Sequence, residues 1–434
     1  MKSFYRYLIP SVLASVFMSA YAIIDGMFIG QKIGDVGLSA INIAWPITSF
    51  LQCIGTALGL SSGIYISTLR GLNRSEESGR MKLTTILVII FLSIILGGIL
   101  FLTCEPILIL FGAEGECLEY ASSYIRIILM GSLFQMLGVG LIPLLKNSGK
   151  AHFAMLASVI SILVNLILDY VFIYTLNLGL PGAAIASVIA QVSSCIVCLV
   201  PYLRELRGVL FTKDSMKNLF LGSLAPFVLN FSYSFIIIIT NALCLTYGGN
   251  EAVAAYTLLS YLLYVIGAIG TGVADAIQPL FSYYHASKDR KENDKMLRMC
   301  LIISFGLCFF ASVLFYCIQG PLESLYNLSP LASRFYRQAL IYYLIGFLCV
   351  SLIRVICSYL YSVNDKLRAN LLTLAEPLIL TPLIYLLLCP FLKLSGVWIG
   401  YLVIQITLLI LAVGLLGNNR FRERNKQKKY IQTE

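Results

Sequence analysis

Apolar runs of 18 or more residues, with few charges inside them, recur from one end of this 434-residue chain to the other. No other feature constrains the fold as much. A bilayer core ~30 Å thick is crossed by a helix of ~20 apolar residues. Lipid offers no partner to a backbone N–H or C=O, so each span must pair its own backbone groups, and in runs of this length the helix does so. Only 12% of the residues are charged, about half of the ~25% usual in soluble domains.

The runs place twelve helices, at 4–30, 38–69, 80–103, 118–146, 152–176, 182–206, 218–246, 251–286, 294–318, 331–362, 367–390 and 395–417. Several are longer than a span needs, which predicts tilt, kinks or ends beyond the bilayer. Lys2 and Arg6 lead directly into the first run. It is too long for the apolar core of a signal peptide and shows no obvious cleavage site, so the first helix is expected to be retained.

With the N-terminus inside, 25 of the 31 Lys and Arg residues fall on the cytoplasmic side. Four fall outside (Lys32, Arg334, Arg337 and Lys393), and Arg126 and Arg354 lie within helices. This is a strong positive-inside bias, and it places both termini in the cytoplasm. It also accounts for the net charge of +10 without a nucleic-acid partner. The tail "NNRFRERNKQKK" is read as a solvated topology determinant, with contact to anionic lipid as the alternative.

The chain repeats itself. Laid over itself with Pro10 on Pro226, it also brings Val12 onto Val228, Ile23 onto Ile239, Asp35 onto Glu251, Arg74 onto Arg290 and Glu76 onto Glu292. Near the ends the register slips by two, laying "LPGAAIASVIAQ" over "LSGVWIGYLVIQ", Gly182 on Gly396 and Gln191 on Gln405. Six helices per copy is an even number, so both copies enter from the same side, related by a pseudo-two-fold axis along the membrane normal. The expected fold is an all-α membrane protein of twelve transmembrane helices in two pseudo-symmetric six-helix lobes. The N-lobe is 1–206, a cytoplasmic linker 207–217, the C-lobe 218–417 and a basic tail 418–434.

Catalysis finds little support. There are two histidines, no HExxH, P-loop or GxSxG pattern, and no catalytic constellation. The 12 cysteines lie almost all inside apolar runs, with Cys117 assigned to a loop. "CIVC" at Cys195 and Cys198 has redox or zinc spacing, but a membrane helix without a nearby His or acid favours packing.

The acids are more informative. "NLILDYVFIY" (165–174) carries Asp169 inside an apolar run, and Asp25 sits in the first helix. In the register set by Pro10 and Pro226, Asp25 faces Asn241 and Asp169 faces Tyr385, so the second half lacks this pair. A charged aspartate at a helix centre costs about 2.5–3.5 kcal/mol on insertion scales, and an intramembrane carboxylate is a proton or cation site by default. At ~1.5 Å per residue both acids reach the outer half of the bilayer. Asn165 precedes Asp169 by one turn and shares its face, and Ser187 starts the next helix at comparable depth. These groups form an oxygen-rich cage for a shared proton or a hard cation such as Na⁺, in which case Asp25, Asn165 and Asp169 are the metal ligands. The alternative is a structural hydrogen-bond cluster. In the second half, Arg354 and Glu376 lie equally far before and after Asp365 in the connecting turn, with Asp275 at similar depth. An ion pair of Arg354 with Glu376 or Asp275, mainly structural, is expected there.

These residues also carry a resemblance. "YAIIDGMFIGQKIGDVGLSAINIAWPI" (21–47) resembles the first helical hairpin of the multidrug and toxic compound extrusion (MATE) family. "LVNLILDYVFIY" (163–174) resembles its fifth helix, and "GVADAIQPLFSYYHASKDR" (272–290) the end of its eighth. The resemblance implies a plasma-membrane antiporter that alternates between inward- and outward-open states. It would export organic, often cationic, xenobiotics in exchange for H⁺ or Na⁺, with no other cofactor. The family's N-lobe cation-site motif falls on Asp25, Asn165, Asp169 and Ser187. Its first-helix gating proline falls on Pro10, which reads equally as a proline at a helix start. Acids that another branch carries in the seventh and tenth helices are replaced here by Asn241 and Arg354. The expected partners are a small organic substrate and the bilayer, with the chain a monomer. The alternatives are a lipid-linked oligosaccharide flippase of related fold, disfavoured by the few embedded basic residues, and a non-transport receptor or enzyme.

Overall fold

Helices carry the chain throughout the computed structural model of the protein, and no strand occurs among its described residues. Those are residue 12 and residues 24–148, 150–202, 208–210, 212–286, 290–363 and 365–431; the side chains at 67, 70, 71, 151, 275–280, 282–286, 290, 366 and 418–431 are not among them. The chain forms two compact units, one of Ile24–Leu245 and one built on Thr246–Glu434.

The first unit contains α1 (24–33), α2 (Asp35–Gly71), α3 (Ser75–Leu110), α4 (Gly115–Met130), α5 (Ser132–Asn147), α6 (Ala151–Asp169) and α7 (Gly179–Leu199). A π-helical turn, Tyr170–Thr175, continues α6. A long helix α8 (Lys213–Ala286) is divided by Gly249, and its first part belongs to this unit through Leu245.

Small residues set the packing. A Cβ on Gly59 would lie 1.8 Å from the Gly140 carbonyl oxygen, and one on Gly55 would lie 2.4 Å from that of Met136. Glycines one turn apart on α2 thus let its backbone touch that of α5. Association in lipid rests on such close approach, since apolar surface gains little by leaving hydrocarbon. Gln52 Nε2 donates to Gln135 Oε1 at 2.9 Å across the same contact. A polar seam joins α2 to the first part of α8. Asn42 Nδ2 donates to Asn241 Oδ1 at 3.2 Å, Ser234 Oγ to Ser49 Oγ at 2.9 Å, and Ser61 Oγ to the Asn218 carbonyl at 2.6 Å.

The second unit continues with α9 (Arg290–Cys317), α10 (Gln319–Leu325), α11 (Pro330–Ser362), α12 (Lys366–Ala375), α13 (Thr381–Leu392) and α14 (Leu394–Ile431). A π-helical turn, Glu376–Leu380, separates α12 from α13. Ser329 caps α11, accepting from Ala332 N at 3.2 Å with Pro330 at the first helical position, where its missing N–H costs nothing. Its aromatic core has Tyr343 stacked on Tyr401 at 4.0 Å and edge-on to Trp398.

Among the described residues nine helices are long and apolar enough to cross a membrane, or ten with α4 and α5 as one span bent by 64°. Dividing α8 at Gly249 separates the seventh and eighth expected spans, and 24–33 is the described end of the first. The α4–α5 bend was not expected. It falls at Gly131, where a Cβ would meet Val188 of α7 at 2.6 Å, so the missing side chain lets α7 close on the bend. Cys117, expected in a loop, lies in the first turn of α4, buried, its thiol 3.6 Å from Ser39 Oγ.

The repeat is visible in the backbone. Left-handed φ values occur at Gly34 (75°) and Gly249 (67°), at Gly112 (94°) and Asn327 (50°), and at Asn177 and Lys393 (both 52°). Each pair falls within one position of the register that lays Pro10 on Pro226. Lysine rarely adopts this conformation, and at Lys393 it closes the same turn that asparagine closes in the first half.

Candidate functional site

The candidate site lies in the first unit, where α1, α6 and α7 meet. Asn165 and Asp169 stand one turn apart on α6, each only 1% exposed. Asp25, on α1, is half-buried as a residue, but its Oδ1 is fully enclosed. The carboxyl groups of Asp25 and Asp169 are side-chain hydrogen-bond partners. Two carboxylates in contact and away from water cannot both stay charged at low cost.

Asn165 Nδ2 donates to Ser187 Oγ at 3.5 Å. This long contact turns the amide nitrogen toward α7. Three oxygens remain buried without a hydrogen-bond partner: Asp25 Oδ1, Asn165 Oδ1 and Asp169 Oδ1. Each unmet acceptor costs about 1–3 kcal/mol. Three together on neighbouring residues are what a proton or an oxygen-seeking cation would satisfy.

Helix α6 widens into its π turn directly after Asp169, a distortion that often marks a functional site. The turn carries a bridge back to α1. Tyr174 packs edge-on against Phe28 at 5.4 Å and donates from its hydroxyl to Gln31 Oε1. Lys32 Nζ lies 5.0 Å from the Tyr174 ring centre and donates to Asn177 Oδ1 at 3.0 Å. Phe28, Gln31 and Lys32 follow Asp25 on α1, and Tyr174 and Asn177 follow Asp169. The bridge therefore covers the loop-side end of the carboxyl pair. Sequence reasoning missed it. The signal present was the aromatic pair Tyr170 and Tyr174, one turn apart and stacked at 5.7 Å.

Comparison with known proteins identifies the family. The MatE family model matches the chain twice, at residues 10–171 and 226–386. The chain belongs to the MATE family. The two matches begin at Pro10 and at Pro226, in the register of the repeat read from the sequence. The multidrug export protein MepA of Staphylococcus saprophyticus is 25% identical over 316 residues, covering 71% of this chain and 70% of that protein. MepA of Staphylococcus aureus strain MSSA476 is 25% identical over 319 residues, with the same coverage. Among solved structures, an inward-facing multidrug resistance MATE transporter has a TM-score of 0.85 at 20% identity, covering 94% of this chain and 96% of that one. The MATE multidrug transporter DinF-BH, in complex with R6G, has a TM-score of 0.74 at 26% identity over 96% of both chains.

This MATE chain is thus a transporter with the family's twelve-span, two-lobe fold, a multi-pass protein of the plasma membrane. Pro10 lies outside the described residues, as does the side chain of Asp275. In the second unit Glu376 begins the π turn after α12. Gln405 Nε2 donates to Glu376 Oε1 at 2.5 Å, and Arg354 is a Coulombic neighbour of the same carboxyl group. Gln405 was not singled out as a partner of Glu376; its alignment with Gln191 in the repeat was the available signal. The other embedded cation, Arg126, pairs with Glu105 at 3.0 Å.

Proposed function

We propose that this MATE transporter exports lipophilic organic cations from the cytoplasm in exchange for H⁺ or Na⁺. The observation that carries the reading is the set of three buried, unpartnered oxygens on Asp25, Asn165 and Asp169. The coupling ion binds there, neutralising the carboxyl pair, with Asn165 supplying a neutral oxygen and Ser187 fixing its orientation. Ion entry changes helix packing around α1 and α6 and lowers affinity for the substrate, which then leaves on the outside. The ion is released inside and fresh substrate binds. In one-for-one exchange the inward charge of the ion cancels the outward charge of a monovalent cation, so the ion's own concentration gradient drives export: a tenfold gradient supplies about 1.4 kcal/mol.

The organic-cation part is supported by relatives named as multidrug exporters and by a related transporter solved with R6G. Cytoplasmic termini are supported by the charge bias of the loops. Pro10 is the candidate hinge of the first helix, and the chain acts as a monomer. The test is export of a fluorescent lipophilic cation from cells lacking their own efflux pumps. Wild type lowers dye retention and raises resistance to toxic cations, whereas Asp25→Asn, produced at equal membrane levels, does neither. Export by Asp25→Asn at the wild-type rate overturns the reading.

A further inference from the structure

One face of α9 changes character part-way along the helix. Lys291, Lys295, Arg298, Ile302, Phe305 and Phe309 follow one another in alternating steps of four and three residues, the spacing that keeps side chains on one helical face. All six are exposed. The first three are cations and the last three are apolar, with the rings of Phe305 and Phe309 stacked at 6.3 Å. A charged segment thus runs straight into a lipid-facing one. A cavity of about 670 Å³ lies against this face, and among the described residues its wall includes Lys291, Asp294, Lys295, Arg298, Met299 and Ile302. It therefore straddles the change from charged to apolar. Glu292 engages Lys295 at 3.1 Å, whereas Lys291 and Arg298 form no ion pair among the described residues. Side chains on a helix lean toward its N-terminus, which is the cytoplasmic end of α9 in the orientation that the loop charges favour. The Arg298 guanidinium accordingly reaches back toward Lys295 and Lys291 while its stem stays along the apolar surface.

We propose that this face of α9 binds an anionic phospholipid of the cytoplasmic leaflet. Lys291 and Arg298 hold the phosphate, and an acyl chain lies along Ile302, Phe305 and Phe309. A topology determinant needs only to lie on the correct side of the membrane. It does not need two unpaired cations on one stripe, a cavity between them, and an apolar continuation below. The chemistry of each part selects the ligand. The planar guanidinium matches phosphate oxygens two at a time, and lysine adds a point charge. Basic pockets at the cytoplasmic surface take anionic head groups for this reason. Asp294 and Glu292 are the acids beside the stripe, and with Glu292 paired to Lys295 the face remains positive. A zwitterionic head group brings a cation of its own, which Lys291 and Arg298 repel. A free phosphate would leave Ile302, Phe305 and Phe309 unused, whereas a lipid uses both segments at once.

The site shares no residue with the Asp25–Asp169 reading and does not rest on it. The test places the full-length chain in phosphatidylcholine nanodiscs containing increasing fractions of phosphatidylglycerol that carries a diazirine on one acyl chain. After illumination, labelled residues are mapped by mass spectrometry. The expected result is labelling within 299–309 that saturates at a low phosphatidylglycerol fraction. Phosphatidylcholine bearing the same diazirine should not saturate there, and soluble glycerol phosphate should not compete. Each Lys or Arg near the surface contributes about 1 kcal/mol, so Lys291→Gln/Arg298→Gln should raise the half-saturating fraction ~30-fold. Lys213→Gln/Lys217→Gln, which removes two exposed cations from the start of α8, should leave it unchanged. The labelled positions and the lipid preference are read in wild-type protein, so the test survives a misfolded variant. Equal labelling by the two lipids overturns the proposal, as does an equal shift in both double variants, which would reduce the effect to general surface charge. Competition by glycerol phosphate also overturns it, in favour of a site for a free anion.

Discussion

Replacing Asp169 by asparagine keeps the shape of the side chain and removes one of the two charges that hold the ion. A unit charge pair at ~4 Å and an effective dielectric of ~20 is worth about 4 kcal/mol. The new amide still offers a polar contact, and such contacts to charged groups recover about 1.5 kcal/mol. The net loss of about 2.5 kcal/mol corresponds to roughly 60-fold weaker ion binding. The assay is equilibrium displacement. Purified protein is loaded with a fluorescent organic cation, then titrated with H⁺ at fixed Na⁺ and with Na⁺ at fixed pH. For the ion that displaces dye from wild type, Asp169→Asn should shift the half-displacing concentration by about 60-fold while still binding dye in the ion's absence. An unshifted curve would refute the reasoning, because the charge lost would then play no part in holding the ion.

Other consequences follow from the same geometry. Ser187→Ala removes only the acceptor of Asn165 Nδ2, so it should weaken ion binding by ~1 kcal/mol, or about fivefold in the same titration. Tyr174→Phe breaks the hydrogen bond to Gln31 but keeps the ring against Phe28; hydrogen exchange of backbone amides at 170–178 should speed up about fivefold, for a loss of ~1 kcal/mol. Gly59→Ala drives a methyl group into the Gly140 carbonyl, so thermal unfolding in detergent should show a loss of ~3 kcal/mol, near the top of the range for overpacking. A cysteine introduced near the C-terminus should react with a membrane-impermeant maleimide only after the cells are opened.

Much of the architecture was legible in the sequence because lipid removes alternatives. A run of ~20 apolar residues has one economical backbone solution, and Gly34, Asn177 and Lys393 mark where it must end. The repeat was legible because prolines and charges recur at one spacing, which slips by only two near the ends of the halves. The α4–α5 bend was not, since Gly131 reads as an ordinary small residue until Val188 of α7 is seen against it. Asp25, Asn165 and Asp169 stood out because polar groups are costly in lipid, and helical periodicity put Asn165 and Asp169 on one face. What periodicity cannot give is which atoms stay unpaired. That Ser187 engages the amide nitrogen of Asn165, that three oxygens are left over, and that Gln405 reaches Glu376 depend on side chains from different helices meeting. The α1–α6 bridge depends in the same way on the π turn, which shifts Tyr174 relative to α1.

The most direct measurement is transport in vesicles reconstituted with the purified chain, with dye movement followed under a pH gradient alone and then under a Na⁺ gradient alone. Accumulation of dye against its concentration gradient under one of them, abolished in both Asp25→Asn and Asp169→Asn, is the predicted result, and it names the ion. Uphill accumulation that survives both substitutions would contradict the claim that this carboxyl pair couples ion to substrate.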